Sequence, residues 1–255
     1  RDKITIHRIR CGRKNQDSSY LIEMLRFVFA ARSVVSRITR IERWDIIHAH
    51  AIVPDGIIAL AASRRARCPF VLTAHGSDVP GYNPDYFQLS HVFIRIFWSR
   101  VIDAAGAVVA PSRYLTGLIQ RVRPNLPVVL IPNGVPIGIF KEHPKDTAFL
   151  IVSRLVRRKN YQLFLKALRD IRTPQVVHIV GDGPMLTELK ELATDVPQHE
   201  VHFHGWLVNG SPEWCELYES CRFFVFPSES ENFPINLLEA QLARMVILAS
   251  DIPGN

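Results

Sequence analysis

Short apolar runs alternate with longer amphipathic segments along almost the whole chain. The apolar runs predict buried strands, and the amphipathic segments between them predict helices. This alternation implies α/β architecture, with parallel sheets covered by helices on both faces. The predicted strands are Lys3–Ile9, Asp45–His48, Pro69–Thr73, Ala107–Ala110, Val128–Ile131, Phe149–Val152, Gln175–Val180, Val201–His204, Phe223–Phe226 and Met245–Ala249. Five predicted helices are Ser18–Arg43, Asp55–Arg67, Gln88–Ala105, Lys159–Ile171 and Glu213–Cys221. Three more are predicted: one is capped by Ser112 and ends at Arg121, one follows a glycine turn and ends at Ala193, and one begins at Pro234.

A segment rich in proline and glycine, from Pro132 to Pro144, interrupts this alternation. Such composition is typical of interdomain connections. The sequence therefore predicts an N-terminal domain over 1–136, a hinge over 137–147 and a C-terminal domain over 148–255.

Composition narrows the class of protein. The chain is 47% hydrophobic, yet no apolar stretch reaches the roughly 18 residues of a membrane-spanning helix. Its first ten residues contain no apolar signal core, and the four cysteines have no paired or metal-binding spacing (Cys11, Cys68, Cys215, Cys221). These features predict reduced cysteines and a cytoplasmic protein.

The net charge of +7 suits a protein that binds a polyanion, an anionic lipid or a phosphorylated substrate. A nucleic-acid binder is the weakest of these alternatives, because the basic residues are not interleaved with aromatics in a known motif.

The stretch from Ser228 to Ala249 carries the densest candidate chemistry. It follows an apolar strand with a turn and a helix start, and two carboxylates, Glu231 and Glu239, bracket that turn. Free amides near Phe233–Asn236 and the helix dipole would attract a phosphate, while a carboxylate would bind paired hydroxyls. The simpler alternative is that Glu231 caps the helix and Glu239 is an exposed helical residue.

Basic residues follow the first predicted strand of the C-terminal domain. Arg154 follows this strand and Lys159 leads into the next helix, so both are expected at the same sheet edge as Glu231. A guanidinium and an ammonium there suit phosphate oxygens. Arg157 and Arg158 are expected to be solvated surface residues instead.

Two further loops are candidates. Gly181-Asp182-Gly183-Pro184 lacks the third glycine of a dinucleotide fingerprint and is predicted to be a tight turn that lets a ligand approach the backbone. His75 lies in a loop at a strand's carboxyl end, between Thr73 and Asp78. That position favours a functional role over a merely hydrogen-bonded loop histidine.

Taken together and in this order, the motifs resemble those of the retaining nucleotide-sugar glycosyltransferases of GT-B type, group 1 or family 4. The resemblance covers about Trp44 to Asn255 and rests on Arg154 with Lys159, the GDGP turn, VHFHGW, SESENFPINLLEA, the loop Thr73–Asp78 and Pro132–Val135. It implies two Rossmann-like domains facing across a cleft, and a role in the synthesis of cell-surface polysaccharide or glycolipid.

The resemblance also implies roles for individual residues. Glu239 would hold the donor's ribose hydroxyls, and Glu231 would lie near the transferred sugar. Arg154 and Lys159 would neutralise the diphosphate leaving group. Backbone groups of the remaining candidates would approach sugar and phosphate (Gly181, Asn232, Phe233, Pro234), and His75 would face the sugar from the first domain.

The same resemblance implies a UDP- or GDP-linked sugar as donor, a glycan or lipid-linked acceptor, and neither a metal nor another cofactor. Retention is thought to proceed by attack on the face that the diphosphate leaves, so no protein nucleophile is needed. A sugar-nucleotide epimerase and a non-catalytic sugar-nucleotide-binding protein are the alternatives. Turnover with an acceptor separates transfer, epimerisation and binding alone.

Several positions depart from the family pattern. Asn232 replaces a usual glycine or serine, which asparagine tolerates because it accepts left-handed turns. Arg244 and Val246 replace a glycine and a proline, so the end of this helix is expected to be altered or weakened. Pro136 replaces an acid.

The opening strand and the glycine-rich loop of the family pattern are not found at the start of this sequence. The pattern's last strand, and the helices that cross back to the first domain, are not found at its end. Both domains are thus expected to be truncated and the chain to be a fragment that binds donor poorly and transfers nothing.

The first predicted helix carries five arginines within an arc of roughly 140° (Arg26, Arg32, Arg37, Arg40, Arg43), opposite Phe27, Val34 and Ile38. Anionic headgroups attract such a face, which predicts peripheral contact with the inner face of the cell membrane. A solvated face over a packed apolar one is the alternative.

Overall fold

The structure is a computed structural model that describes residues 4–12, 21–82 and 91–255. The chain divides into two compact units, Arg1–Pro132 and Asn133–Asn255. Each unit contains parallel strands alternating with helices, so the predicted α/β class is confirmed. The hinge role of residues 137–147 stays a prediction.

The first unit contains a four-stranded parallel sheet in the order β1-β2-β3-β4. Because all four strands run the same way, their carboxyl ends lie at one edge. The strands are β1 (Ile47–His50), β2 (Phe70–Thr73), β3 (Ala107–Ala110) and β4 (Val128–Leu130).

Four described helices accompany this sheet: α1 (Leu21–Ile41), α2 (Asp55–Ala66), α3 (His91–Ala104) and α4 (Arg113–Val122). Ser112 caps α4 as predicted, since its hydroxyl accepts a 3.1 Å hydrogen bond from the Leu115 amide. Residues 18–20 and 88–90 of two predicted helices lie outside the described residues. The core between sheet and helices is formed by fully buried Ile52, Phe70, Leu72, Trp98, Ile102, Leu115 and Ile119.

The second unit contains a five-stranded parallel sheet in the order β7-β6-β5-β8-β9. This is the doubly wound order, in which the chain reverses direction of travel between β5 and β8. The strands are β5 (Asp146–Val152), β6 (Val176–Val180), β7 (Glu200–Gly205), β8 (Cys221–Phe226) and β9 (Val246–Ala249).

Helices cover both faces of the second sheet: α5 (Tyr161–Ala167), α6 (Leu186–Thr194), α7 (Pro212–Ser220) and α8 (Ile235–Leu242). Alternate residues of β5 point to different cores, Leu150 towards α7 and α8 and Ile151 towards α5 and α6. Both strand faces are therefore buried, which explains the continuous apolar runs in the sequence.

The strand predicted at Lys3–Ile9 is wrong. Lys3 lies outside the described residues, and residues 4–9 have no strand structure. Ile4 and Ile6 are 85% and 75% exposed. The alternation was present, but among the described residues no neighbouring strand pairs with this segment, and an isolated strand leaves its backbone groups without partners.

Two element boundaries are corrected. β1 begins at Ile47 rather than Asp45, because Ile47 is the residue that pairs with Phe70 at the start of β2. Pro234 precedes α8 instead of opening it: its φ of −72° and ψ of 122° are extended, and Ile235 is the first helical residue.

The prediction of one continuous helix over Lys159–Ile171 is wrong. A 3₁₀ turn over Arg157–Lys159 ends at Asn160, whose φ of 57° is left-handed, and α5 begins only after it. A second 3₁₀ turn covers Leu168–Asp170. Asparagine tolerates the left-handed conformation, so it breaks the helix where sequence periodicity alone did not.

Arg244 ends α8 in the way a glycine would, contrary to the expectation of a weakened connection. Its φ is 56°. The Met245 amide donates to the Ala240 carbonyl at 3.0 Å and the Arg244 amide to the Gln241 carbonyl at 2.9 Å. These are the two hydrogen bonds of a Schellman motif, formed here at the cost of a left-handed arginine.

No helix within the described residues has the length and hydropathy needed to cross a membrane.

Candidate active site

The loops after β5 and β8 leave neighbouring parallel strands at the point where the strand order reverses. Ligands of doubly wound sheets bind outside the carboxyl ends of such strands. We call this region, formed by residues 153–160 and 227–236, the β5–β8 edge. It contains the predicted Arg154, Lys159 and Glu231.

Lys159 and Glu231 form a direct ion pair at this edge. Lys159 Nζ is 2.5 Å from Glu231 Oε1, and the two side chains are only 12% and 14% exposed. Lys159 also lies over the Phe226 ring, 4.7 Å from its centroid. Burial lowers the pKa of Lys159, and the Glu231 carboxylate opposes that change.

Ser228 ties the same carboxylate to the opposite loop. Its hydroxyl lies 2.6 Å from Glu231 Oε1 and 3.3 Å from the Arg158 carbonyl. The Glu229 amide donates to that Arg158 carbonyl at 2.9 Å. The two loops of the β5–β8 edge are thus joined by side-chain and backbone bonds, and Glu231 is held in this network instead of capping α8.

The other basic residues of the first loop differ in their surroundings. Arg154 is exposed directly after Ser153 at the carboxyl end of β5. Arg157 is 68% exposed and forms a two-pronged pair with Glu188, with nitrogen–oxygen distances of 2.8 and 3.3 Å. Arg158 is partly buried, and its carbonyl is the acceptor described above.

The loop before α8 is fixed by amide side chains. Asn133 Nδ2 donates to the Phe233 carbonyl at 2.8 Å, and Asn236 Nδ2 donates to the Val152 carbonyl at 2.6 Å. Asn232 is buried and Pro234 partly so. These contacts hold the start of α8 against the carboxyl end of β5.

Glu239 is buried on α8, only 6% exposed, so it is not the exposed helical residue of the simpler alternative. The Tyr218 hydroxyl donates to Glu239 Oε2 at 3.0 Å. Burial raises the pKa of Glu239, and the Tyr218 hydrogen bond opposes this. A buried carboxyl group that already accepts from one hydroxyl is suited to accept further hydrogen bonds from hydroxyl groups.

The glycine turn packs on the first loop of the edge. A Cβ at Gly181 would overlap the Ser153 carbonyl, and a Cβ at Gly183 would overlap the Leu155 backbone. The Leu155 amide donates to the Asp182 carbonyl at 2.8 Å. The glycines are therefore needed for loop-to-loop packing that supports the segment around Arg154, and ligand approach to Gly181 stays a prediction.

His75 belongs to a separate set of side chains in the first unit. His50 Nδ1 and His75 Nε2 are 3.0 Å apart, and His48 Nε2 is 2.8 Å from Thr73 Oγ1. We call His48, His50 and His75 the histidine cluster. His48 and His50 were not predicted as site residues, although side chains two positions apart on a strand point to the same face of the sheet.

Two carboxylates lie beside the histidine cluster. Asp78 accepts hydrogen bonds from the amides of His75 and Gly76, each 2.9 Å, and from the Ile52 amide at 2.7 Å. Burial, and then Asp78, raises the pKa of Asp55 to about 6. Across the described ranges, no group of three His, Cys, Asp or Glu side chains is arranged to hold a metal ion.

Each half of the chain matches the model of a known protein family. The profile of Glycosyltransferase Family 4 matches residues 8–138, more than half of the chain, and that of Glycosyl transferases group 1 matches residues 138–255. The two matches together extend from residue 8 to the last residue.

Solved structures show the fold. Anabaena HepE in complex with UDP-glucose matches with a TM-score of 0.73 and 22% identity, over 88% of this chain and 64% of that one. Sucrose-phosphate synthase of Thermosynechococcus elongatus matches with a TM-score of 0.77 and 18% identity, over 97% and 65%. The fold is that of GT-B enzymes, with two Rossmann-like units as predicted. The chain belongs to Glycosyltransferase Family 4, and its second half matches the model of Glycosyl transferases group 1.

Curated relatives match most of this chain but are themselves considerably longer. A Bacillus subtilis glycosyltransferase provisionally assigned to teichuronic acid biosynthesis is 28% identical over 82% of this chain and 54% of its own. The Escherichia coli UDP-Gal:alpha-D-GlcNAc-diphosphoundecaprenol alpha-1,3-galactosyltransferase is 27% identical over 88% and 62%. The chain thus spans less than two thirds of either relative.

Proposed function

We propose that this protein is a retaining glycosyltransferase, moving a sugar from a nucleoside diphosphate sugar to a hydroxyl of a glycan or lipid-linked glycan. The observation that carries this proposal is the buried Lys159–Glu231 pair at the β5–β8 edge, with Arg154 on the same loop. A uridine nucleotide is the first donor to test, because HepE was solved with UDP-glucose and the Escherichia coli relative is named for UDP-galactose.

The leaving group explains why basic residues are needed. As the anomeric carbon–oxygen bond breaks, the sugar gains oxocarbenium character and the diphosphate gains negative charge. In this proposal Arg154 and Lys159 neutralise that charge with help from the amides at the start of α8, and no metal takes part. The acceptor oxygen bonds to the anomeric carbon on the face that the diphosphate leaves, and the diphosphate takes the acceptor's proton.

Glu231 has two tasks in this scheme. Before donor binding, its carboxylate opposes the effect of burial on Lys159 and keeps the ammonium charged. With donor bound, Lys159 turns to the diphosphate and Glu231 accepts hydrogen bonds from sugar hydroxyls. Glu239, oriented by Tyr218, binds the ribose hydroxyls, and His75 is the proposed partner of the transferred sugar.

The donor assignment is tested by thermal-shift titration with UDP-, GDP- and ADP-glucose, followed by transfer assays with the best donor. Glu239→Ala should weaken nucleotide binding by about 1–3 kcal/mol, the free energy of a charged hydrogen bond. In a complete homologue, Arg154→Ala and Lys159→Ala should lower turnover more than they lower nucleoside affinity, because both residues act on the leaving group.

Arg157→Ala is the matched control, since Arg157 lies on the same loop but is engaged by Glu188. It should leave donor affinity and turnover at wild-type values. Unchanged affinity for nucleoside and diphosphate in the other three variants would refute the assignment. Epimerised sugar nucleotide, or binding with no product, would support the two alternative functions instead.

We also propose that α1 contacts an anionic membrane surface. Its outward side combines three exposed apolar residues (Ile22, Leu25, Phe29) with four exposed arginines (Arg26, Arg32, Arg37, Arg40). Arg43 is exposed too, two residues beyond the helix end. The other side of α1 packs against α2. Apolar side chains beside cations suit the headgroup region of a bilayer.

Vesicle flotation tests this contact. Arg26→Gln/Arg32→Gln should reduce binding to phosphatidylglycerol vesicles roughly tenfold or more, at about 1 kcal/mol per arginine. Arg64→Gln/Arg65→Gln removes equal charge from exposed positions on α2 and should have a smaller effect. Equal binding to zwitterionic and anionic vesicles would rule out the proposed contact.

A further inference from the structure

His75 is joined directly to another histidine that the sequence did not single out. His50 Nδ1 and His75 Nε2 are 3.0 Å apart, and the rings stack with centroids 5.2 Å apart at 25°. At this distance one nitrogen must carry the proton and the other must accept it. The tautomer of His75 is therefore linked to that of His50.

The backbone around both histidines is fixed independently of this bond. The Asp78 carboxylate accepts from the Ile52 amide, two residues after His50, and from the His75 amide itself. Trp98 Nε1 donates to the Asp78 carbonyl at 2.9 Å, which anchors the same loop to α3. Because the backbone is held by Asp78, the ring orientation of His75 depends on its side-chain partner.

We propose that His50 is a positioning residue, which holds the His75 ring in one orientation and one tautomer through this hydrogen bond. The inference rests on the proposed role of His75 at the transferred sugar. A histidine with a fixed tautomer offers a sugar hydroxyl either a donor or an acceptor at Nδ1, but not a mixture of the two. A mixture would leave part of the molecules with the wrong group towards the sugar.

The surroundings of His75 favour its neutral imidazole. Burial lowers the pKa of His75, with Asp78 opposing and His50 adding to the decrease. Burial, followed by His50 and His75, lowers the pKa of His48. Asp55, from α2, is a further titratable neighbour of this cluster. Neutral imidazoles are the form in which two tautomers compete, so this is where a hydrogen-bond partner decides between them.

The wild-type protein provides the first test, without any ligand. Long-range nitrogen–proton spectra of ¹⁵N-histidine-labelled protein distinguish the two neutral tautomers of each ring. We expect that only one of the two facing nitrogens, His50 Nδ1 or His75 Nε2, carries a proton, and that each ring has a single tautomer. Tautomer averaging at His75, or protons on both facing nitrogens, would overturn the proposal.

Two variants of His50 separate positioning from a general structural role. His50→Phe keeps a ring but removes the hydrogen bond, so His75 should show mixed tautomers. His50→Asn places an amide where Nδ1 lies and should restore a single tautomer. His202→Gln, which removes a histidine of the second unit, is the control and should leave the His75 spectrum unchanged.

Transfer kinetics with UDP-glucose complete the test. His50→Phe should lower kcat about three- to tenfold, equivalent to one hydrogen bond, with little change in KM, and His50→Asn should recover most of it. An unchanged His75 spectrum in His50→Phe would overturn the positioning role. If that spectrum changes while kcat does not, the positioning of His75 stands and its role in transfer is what fails. Should His50→Phe not fold, the wild-type and His50→Asn spectra decide.

Discussion

His178 is a half-buried histidine enclosed by two others. It lies on β6, its Nδ1 is 3.0 Å from His204 Nε2, and its ring stacks on His202 at 5.1 Å. Burial, followed by His204 and His202, lowers the pKa of His178 to about 4. Glu213 lies 3.8 Å from His204 and Glu200 lies 3.6 Å from His202, so neither carboxylate pairs with His178 directly.

This arrangement predicts a specific loss of stability in acid. In the unfolded chain His178 titrates near 6.5, so between pH 6.5 and about 4 the unfolded state binds one more proton than the folded state. Stability therefore falls as pH falls through this window. The unfolding midpoint of the wild type should decrease more steeply there than that of His178→Asn, in denaturant titrations at each pH.

His7→Asn changes an exposed histidine and is the control for this comparison. Asp55, whose raised pKa acts in the opposite direction over part of the same range, is present in all three proteins and cancels. Equal slopes for the wild type and His178→Asn would show that His178 ionises freely in the folded state.

Single backbone positions also shape the candidate site. A Cβ at Gly254 would overlap the carbonyl of Glu231, so the chain after β9 lies directly against the loop that carries this carboxylate. Neither this approach nor the overlap at Gly181 is visible in the sequence, where both residues are ordinary turn glycines. Glycine is required at both positions because a segment distant along the chain packs directly against them.

At the scale of elements, the loop after β5 and the loop after β8 are coupled by buried charge. Lys159 and Glu231 lie 72 positions apart in the chain, and their pair is largely screened from solvent. Removing one partner leaves an uncompensated charge in a low-dielectric environment, which is unfavourable. The pair therefore contributes to the order of the β5–β8 edge before any ligand binds.

A double-mutant cycle measures this coupling. Lys159→Met, Glu231→Gln and the double variant, compared with wild type by denaturant unfolding, should give a coupling free energy of about 1–3 kcal/mol. The cycle of Arg157→Met with Glu188→Gln is the control, because that pair is exposed and should give only about 0.2–1 kcal/mol. A Lys159–Glu231 coupling no larger than the control's would mean that the two loops are ordered without the ion pair, by the bonds of Ser228 and the Glu229 amide to the Arg158 carbonyl.

Periodicity located the elements well and their interruptions poorly. Apart from the segment 4–9 and the helix after Lys159, the predicted ends that can be compared lie within three residues of the observed ones. The breaks at Asn160 and Arg244 depend on left-handed backbone at single positions. Asparagine and arginine are also compatible with ordinary helix, so nothing in their identity required that conformation.

At the scale of the whole molecule, each unit has its own sheet and its own core. The second unit's strand order makes β5 and β8 neighbours, although two strands and three helices separate them in the chain. This order joins Lys159 to Glu231. The sequence predicted the same sheet edge for both residues from the strand ends, but it gave no distance and no partner for either.

The sequence by itself determined the α/β class, most strand and helix positions, and the candidate residues at strand ends, because these follow from local periodicity and residue chemistry. Only the tertiary structure decided which candidates meet. It placed His75 beside His50, buried Glu239 against Tyr218, and left residues 4–9 without a strand partner among the described residues. Each of these outcomes depends on contacts between segments far apart in the chain, and local pattern carries no information about such contacts.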